Sequence, residues 1–404
     1  MRLAPASSDP ANLNEKMPAG RTLDHEWAIL LAASSVTPAE QKQARLRSLL
    51  QHPVRWNSLF SLADHHGVQP LLYEGLAPIA RELPAEEFEF LRQSHKANLH
   101  KALLLSRELI RIVDHLSYLG IEVMPYKGLA LAELVYGDIA LRQSGDIDLL
   151  IRPEDFRPVR DAVGKLGYVP HDLFSEAEER AQLKSGYECA FDGAAGPNLL
   201  EVQWAIQPRF YAIDFDMAGL FERATTVMVA GQPMKTPCVE DLLLVLSAHA
   251  AKHVWGRLIW LCDLARITSL SNLNWNRIRK QAESLGIVRI LRVTMLGANR
   301  MLGAAIPAAA EESGLSADDP ATLALVDRLA SFIKSETPFQ VESPAYFRLM
   351  MQLRERASDR RRFLTRLVFT PGPSEWAAVR LPQPLFPLYR LVRLSRLAAR
   401  LVRK

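Results

Sequence analysis

The chain has 404 residues, of which 49% are hydrophobic and 23% charged, and its formal net charge is +4. This length and composition agree with a soluble enzyme that buries a sizeable core in two or three compact units. Residues 1–20 contain no uninterrupted apolar segment, and no stretch approaches the roughly 20 apolar residues of a membrane span, so we expect neither secretion nor a transmembrane anchor.

The three cysteines are far apart in the sequence. Cys189, Cys238 and Cys262 form no Cys-x-x-Cys pair and no zinc-like grouping. We therefore expect reduced, structural thiols and a cytoplasmic location.

Apolar residues recur at helical spacing over 23–77 and again over 85–119. The pattern then changes, and short apolar runs alternate with helical segments. The predicted elements are strand 121–126, helix 130–135, strand 146–151, helix 154–166, strand 187–191 and strand 199–204. Residues 192–198, Asp-Gly-Ala-Ala-Gly-Pro-Asn, fit a hairpin turn between the last two strands.

After Pro237 the helical spacing returns. The whole pattern predicts an α+β fold with a small mixed or antiparallel sheet. Three regions are expected: helices over 1–100, the sheet and its helices over 101–235, and helices over 236–404.

Two aspartates open the predicted strand 146–151. Alternate residues of a strand point to the same face, so Asp146 and Asp148 project together while Ile147 and Leu149 face a core. Carboxylate oxygens are ligands that Mg²⁺ prefers, usually together with substrate phosphates. A solvated strand end is the alternative, but carboxylates are poor strand formers, which favours a metal site at a cleft.

Lys127 and Gly128 end the preceding apolar strand. A glycine allows the backbone to approach a phosphate closely, and a lysine can pair with the phosphate charge. Together with the two aspartates, this pair indicates a nucleotide-phosphate site.

The chain has a predicted strand that ends in Gly, then a helix, and then Arg-x-Ser-x-Asp-x-Asp on the next strand. This arrangement resembles the DNA polymerase β-type nucleotidyltransferase superfamily. The resemblance is strongest to its bacterial branch of uncharacterised nucleotidyltransferases, and weaker helical matches extend it over most of the chain. The matching residues are Lys127, Gly128, Arg142, Ser144, Asp146 and Asp148.

The resemblance implies a third carboxylate on a later strand, and Glu201 stands at the expected place. Alternation puts Glu201 and Gln203 on one face of strand 199–204. The resembled branch often has Glu-x-His-Trp here, so Gln203 replaces a histidine, and no histidine role is carried over.

The resemblance implies transfer of a nucleoside monophosphate from an NTP, with ATP as the first candidate, to an acceptor with release of pyrophosphate. Two Mg²⁺ ions, or Mn²⁺, would be held by Asp146, Asp148 and Glu201, while Glu201 could help to deprotonate the acceptor. Lys127, Gly128, Arg142 and Ser144 would hold phosphate oxygens, although Arg142 could instead be a surface charge and Ser144 a turn or cap residue.

The acceptor stays open among a small molecule, a peptide, a protein and RNA, and so does the oligomeric state. Two alternative functions also remain. One is a toxin-like enzyme that adds nucleotides to RNA or protein, and the other is a non-catalytic nucleotide-sensing scaffold.

The helical segment 240–269 carries a histidine pair, His249 and His253, at i and i+4, together with Lys252, Trp260 and Asp263. Three interpretations are open. The side chains could ligate a metal, could form a polar wall with Lys252 as a phosphate partner, or could be hydrogen-bonded core residues.

The last 19 residues, 386–404, carry six positive side chains and no acidic one. Arginines gather on one face of the predicted helix and leucines on the next. This basic helix could contact an anionic membrane surface or RNA phosphates, or it could dock its leucines on the protein and leave its arginines in water. The arginines are Arg390, Arg393, Arg396, Arg400 and Arg403, and the leucines are Leu391, Leu394, Leu397 and Leu401.

Overall fold

The computed structural model describes residues 23–193, 199–315, 319–334 and 343–402. Within them the fold is α+β, as predicted. Along the chain, helical segments precede and follow the strands of a central sheet. The predicted turn over 192–198 lies mostly outside the described residues. No helix within these ranges is long and apolar enough to cross a membrane.

Helices fill the N-terminal part of the described chain. They are α1 Asp24–Ser34, α2 Ala39–Leu50, α3 Trp56–His65, α4 Gln69–Leu76 and α5 Ala85–Tyr118. Helix α5 begins directly after Pro84, and its first turn carries Glu86 and Glu87, which suit the positive end of a helix dipole. It is 34 residues long and runs through the predicted boundary at residue 100 without a break.

The central sheet is mixed, as predicted, with the strand order β1-β2-β5-β4-β3. Among the strand pairs of the described residues in this sheet, β2–β5 is parallel and the others are antiparallel. A separate hairpin, β6–β7, was not predicted. The strands are β1 Met124–Pro125, β2 Asp146–Leu150, β3 Val169–Pro170, β4 Glu188–Asp192, β5 Leu199–Gln203, β6 Thr225–Val229 and β7 Gln232–Thr236.

The first strand is much shorter than the predicted strand 121–126. Only Met124 and Pro125 pair with β2, and Pro125 has no backbone N–H to donate. Ile121 and Val123 are nevertheless buried, so the apolar run packs into the core without forming a longer strand.

Helices alternate with the strands and then follow them. The first group is α6 Gly128–Tyr136, α7 Phe156–Lys165, α8 Glu176–Ser185 and α9 Met217–Glu222. The second group is α10 Val239–Lys252, α11 Leu258–Thr268, α12 Trp275–Leu285, α13 Val288–Leu302, α14 Ala308–Glu312, α15 Pro320–Lys334, α16 Pro344–Gln352, α17 Ala357–Phe369, α18 Pro373–Ala378 and α19 Tyr389–Val402. Helix α8 was not predicted, and helices α6 and α7 match predicted segments.

Two hydrophobic cores organise these elements. The N-terminal helices and the helices after β7 share one core, to which α5 contributes Leu91. The sheet forms the second core, to which α5 contributes Leu109 and Leu116. Helix α5 therefore joins both cores, and the division into three regions stays a prediction. Cys189, Cys238 and Cys262 form no disulfide.

Candidate active site

Four carboxylates lie on one face of the central sheet. Asp148 of β2 is directly beside Glu201 of the parallel strand β5, and Asp146 precedes Asp148 by two residues. Glu188 of β4 pairs with Gln203 of β5, so it belongs to the same face. The apolar residues that alternate with these side chains are buried in the sheet core. Alternation along two adjacent strands thus concentrates negative charge in one place.

A buried amide lies among these carboxylates. The amide nitrogen of Gln203 lies 3.0 Å from Glu201 Oε2, 3.1 Å from Glu188 Oε2 and 3.3 Å from Asp148 Oδ1. Its amide oxygen accepts a hydrogen bond of 2.5 Å from the Tyr126 hydroxyl, which fixes the orientation of the amide. An amide nitrogen has two N–H donors, so it cannot satisfy three carboxylates at once. The cluster therefore retains acceptor oxygens for another ligand.

Lys127 supplies the nearest positive charge. Its ammonium donates a 2.9 Å hydrogen bond to Asp148 Oδ1 and lies 4.8 Å from the centre of the Tyr126 ring. Burial is the largest single influence and would lower the pKa of Lys127, but attraction to Asp148 and Tyr126 and hydrogen bonds with both together raise the pKa above its ordinary value. Lys127 is therefore charged throughout the physiological pH range.

The remaining negative charge is incompletely neutralised. Burial, followed by repulsion from Asp148, raises the pKa of Asp146. Burial raises the pKa of Glu201 to about 8, and Asp148 and Glu188 contribute further repulsion. The raised pKa values show that these carboxylates repel one another in their charged form, so a bound cation would stabilise that form.

These oxygens fit a hard divalent cation, although they do not form a complete cage. Within the described ranges, no three His, Cys, Asp or Glu side chains converge as a ready metal site. Mg²⁺ is usually held by one or two carboxylates, water and substrate phosphates, so an aspartate pair is the expected protein contribution. Asp146 and Asp148, with Glu201 beside them, provide that donor set.

The N-terminus of α6 lies beside the aspartates. Gly128, its first residue, has φ +50°, which disfavours any side chain there. A Cβ atom at Gly128 would lie 3.6 Å from Ser144 Oγ. The N-cap residue, Lys127, makes no side-chain capping hydrogen bond to the helix, and Ser144 Oγ is buried without a hydrogen-bond partner in the described part of the chain. Unpaired backbone N–H groups and an unpaired hydroxyl therefore meet here, which suits a phosphate.

Arg142 is held by a residue far away in the sequence. Its Nε and Nη2 atoms each donate a 3.0 Å hydrogen bond to the carboxylate of Asp263 on α11. The Tyr136 hydroxyl donates to the same carboxylate at 2.7 Å. Both Arg142 and Asp263 are buried. The pair anchors the segment that carries Ser144, and a phosphate role for Arg142 stays a prediction.

Lys252, at the end of α10, lies near Glu188 at the edge of the carboxylate cluster. Its ammonium donates a 3.1 Å hydrogen bond to the hydroxyl of Tyr187, which also interacts with Glu188. Burial lowers the pKa of Lys252 to about 8, against the opposing attraction of Glu188. Lys252 is thus close to the site and titrates near neutral pH, and its predicted contact with phosphate stays untested.

The histidine pair forms a neutral wall beside Lys252. The rings of His249 and His253 lie 4.7 Å apart, and the Trp260 ring lies 5.4 Å and 5.3 Å from them. Burial, followed by repulsion from Lys252, lowers the pKa of His253 to about 3. His249 is also lowered well below its ordinary pKa, by burial and then by Lys127. Asp263 is occupied by Arg142.

A strained turn follows this wall. Val254 and Trp255 have φ values of +55° and +49°, a conformation that is a genuine outlier for a β-branched or bulky residue. The buried Trp255 indole donates a 3.1 Å hydrogen bond to Thr294 and holds the turn in place. Strain of this kind clusters at functional sites, in agreement with the position of the turn next to Lys252 and His253.

A family model described as uncharacterised nucleotidyltransferase matches residues 52–303, which include every residue of the site described above. The chain belongs to this family. No curated protein and no solved structure matches the chain. The predicted resemblance to uncharacterised nucleotidyltransferases is confirmed, and the family supports nucleotidyl transfer as the class of activity.

Two residues of this candidate site were not predicted from the sequence. Glu188 and Tyr187 both lie within a predicted strand, and Glu188 is opposite Gln203 because the β4–β5 hairpin pairs Asp192 with Leu199. The predicted bounds, strands 187–191 and 199–204 around a turn over 192–198, instead pair residue 191 with residue 199 and place Glu188 opposite Val202, on the core face. The observed register differs by one residue, and a shift of one residue moves a side chain to the other face, so the predicted hairpin does not find Glu188. The partnership of Tyr187 with Lys252 depends on packing between distant elements, and no sequence signal indicates it.

Proposed function

We propose that the protein transfers a nucleoside monophosphate from an NTP to an acceptor and releases pyrophosphate, with a divalent cation as cofactor. ATP is the first donor to test. The observation that carries the proposal is the position of Asp146, Asp148 and Glu201 on one sheet face, beside Lys127 and the uncapped start of α6.

The phosphates of the NTP would lie at the start of α6. Backbone N–H groups there, the unpaired Ser144 hydroxyl and the Lys127 ammonium are all suited to phosphate oxygens. In this arrangement Lys127 exchanges its contact with Asp148 for one with phosphate. Gly128 allows the phosphate to approach the backbone closely.

A cation held by Asp146, Asp148 and Glu201 would supply charge stabilisation to the triphosphate when bound. Glu201 would accept the proton of the acceptor X–H. A bond then forms between X and the α-phosphorus, the bond from the α-phosphorus to the bridging oxygen breaks, and pyrophosphate leaves with the electron pair. The acceptor is a small molecule, a peptide, a protein or RNA, and positioning supplies much of the rate enhancement.

Labelled nucleotides test the proposal directly. Purified protein is incubated with Mg²⁺, a cell extract as the source of acceptors, and each NTP labelled at either the α- or the γ-phosphate. We expect transfer of the α-label alone, lost in Asp146→Asn/Asp148→Asn and retained in Asp161→Asn, which alters an exposed carboxylate on α7. The amide substitutions preserve shape, and circular dichroism checks folding.

Transfer of the γ-label would contradict nucleotidyl transfer and indicate phosphoryl transfer. If no label is transferred with any NTP while calorimetry detects Mg²⁺-dependent nucleotide binding, the nucleotide-sensing function replaces the catalytic one. Absence of both transfer and binding would refute the site assignment. Labelled RNA or protein as the product would identify the toxin-like alternative.

A further inference from the structure

The last described helix, α19, is seated on the protein through its polar residues. Arg393 contacts Glu375 at 3.2 Å and donates a 2.5 Å hydrogen bond to the Leu367 carbonyl. Arg396 contacts Glu375 at 3.6 Å. The buried Tyr389 donates a 2.9 Å hydrogen bond to the Val379 carbonyl. Arginine side chains therefore hold α19 in place.

Leu391 and Leu394 of α19 point the other way. At about 100° per residue, Arg393 and Arg396 lie within about 40° of Tyr389, whereas Leu391 and Leu394 lie about 140° to 200° from it. Leu391 is 61% exposed and Leu394 is 37% exposed. Leu397 is half-buried and Arg390 is exposed, so the alternative in which leucines dock and arginines remain in water holds for only part of the helix. At Leu391, Arg393, Leu394 and Arg396 the arrangement is the reverse of an ordinary surface helix, whose apolar side faces the core.

The exposed apolar surface continues into the preceding chain. Val379, Leu385 and Leu388 are 43%, 44% and 42% exposed. Single exposed leucines are common on protein surfaces and need no explanation. A succession of them over 379–394, ending on a helix that turns Leu391 and Leu394 outward, indicates a surface that is covered by something apolar.

The charge around this surface is strongly positive. Residues 357–402 contain nine arginines and only two carboxylates, Asp359 and Glu375, whereas the whole chain has a formal net charge of +4. Both carboxylates are buried and paired with arginines. Arg380 and Arg390 are exposed beside the leucines. The surface thus offers apolar side chains and positive charge together.

We propose that residues 379–399 form a membrane-surface site that binds an anionic lipid bilayer, with the leucines in the acyl region and the arginines among the headgroups. An anionic bilayer matches both features of this surface, because its interior is apolar like the leucines and its surface is negative and attracts the arginines. A second copy of the chain would place arginines against arginines across a two-fold interface. RNA would engage the arginines but leave the leucines in water.

The test uses the full-length protein and sedimentation with vesicles of phosphatidylcholine alone or mixed with phosphatidylglycerol. We expect binding to the mixed vesicles that weakens with salt, and at least about a tenfold loss of partitioning in Leu391→Ser/Leu394→Ser, since burial of apolar side chains drives interfacial insertion. Leu103→Ser/Leu104→Ser, which alters exposed leucines of α5, is the matched control and should bind like the wild type.

The site is rejected if the wild-type protein does not bind the anionic vesicles, or if the α19 variant binds them as well as the wild type does. It is also rejected if the wild-type protein is dimeric without vesicles and Leu391→Ser/Leu394→Ser makes it monomeric, because a second copy would then cover the leucines. Thermal unfolding should be unchanged in both double variants, since the substituted side chains are exposed.

Discussion

Arg142 and Asp263, 121 residues apart in the sequence, form a buried ion pair with two hydrogen bonds of 3.0 Å. Arg142 lies two residues before Ser144 and four before Asp146, whereas Asp263 belongs to α11 in the helical core. The pair therefore ties the loop that enters β2 to the C-terminal helices.

Asp263→Asn should destabilise the protein strongly. The substitution leaves the buried Arg142 charge without its partner, which costs about 3 to 5 kcal/mol when a buried pair is broken on one side. Urea unfolding followed by tryptophan fluorescence would measure the change. Arg142→Met/Asp263→Leu removes both charges and should regain most of the lost free energy of unfolding. Equal stability of Asp263→Asn and the wild type would show that the ion pair is not maintained in solution.

Local patterns predicted the fold class and the strand faces on which the candidate site residues lie. The alternation of Asp146, Ile147 and Asp148 correctly placed polar and apolar residues on opposite faces of β2, and the same rule placed Glu201 and Gln203 together on β5. These features need only two-residue periodicity.

Features that depend on distant partners were not predictable. The pairing of Arg142 with Asp263 and of Lys252 with Tyr187 is decided by how helices pack on the sheet. The hairpin β6–β7 was missed because its exposed residues, such as Met228, include apolar ones that blur the alternation. The single core shared by the first and last helices likewise has no local signal.

Gln203→Glu should make the carboxylate face more dependent on cations. The new carboxylate would be buried against Glu188, Glu201 and Asp148, so the free energy of unfolding should fall by about 1 to 3 kcal/mol. Added Mg²⁺ should recover part of the loss, because a ligand that binds only the folded state stabilises it. Thermal unfolding in EDTA and in Mg²⁺ measures both effects.

Gln203→His is the matched variant, since histidine keeps a neutral N–H donor and often occupies this position in the resembled branch. We expect it to retain both stability and nucleotidyl transfer. If Gln203→Glu is as stable as the wild type in EDTA, the amide does not relieve repulsion among the carboxylates.

NTP binding should weaken as the pH rises through about 8, the value to which burial lowers the pKa of Lys252. Above that pH the side chain is neutral and loses its attraction for phosphate. Calorimetry at pH 7 and pH 9 would measure the change. Lys252→Arg retains its charge and should reduce this pH dependence to the part contributed by Glu201, whose pKa is also about 8, whereas an undiminished loss of affinity in Lys252→Arg would assign the whole effect to another group.

The titration of Lys252 should also make the free energy of unfolding depend on pH. Its pKa is about 8 in the folded state and 10.5 as the ordinary value, so between these pH values the unfolded chain binds more protons. The free energy of unfolding therefore gains a contribution that increases with pH across this window, and below pH 8 the cost of burying the charge is fully present. Lys252→Met should remove that increase in urea unfolding experiments.

Ser144→Ala should separate stability from nucleotide binding. The Ser144 hydroxyl is buried without a partner in the described residues, and leaving such a group unsatisfied costs about 1 to 3 kcal/mol. Its removal should leave the free protein as stable or more stable, whereas NTP affinity should fall about tenfold because a phosphate contact is lost.

Ser106→Ala is the control, since Ser106 is also buried but donates a 2.8 Å hydrogen bond to the Ala102 carbonyl. That variant should gain no stability and should bind NTP normally. A Ser144→Ala protein that is less stable, with unchanged NTP affinity, would mean that the hydroxyl serves the fold and not the phosphate.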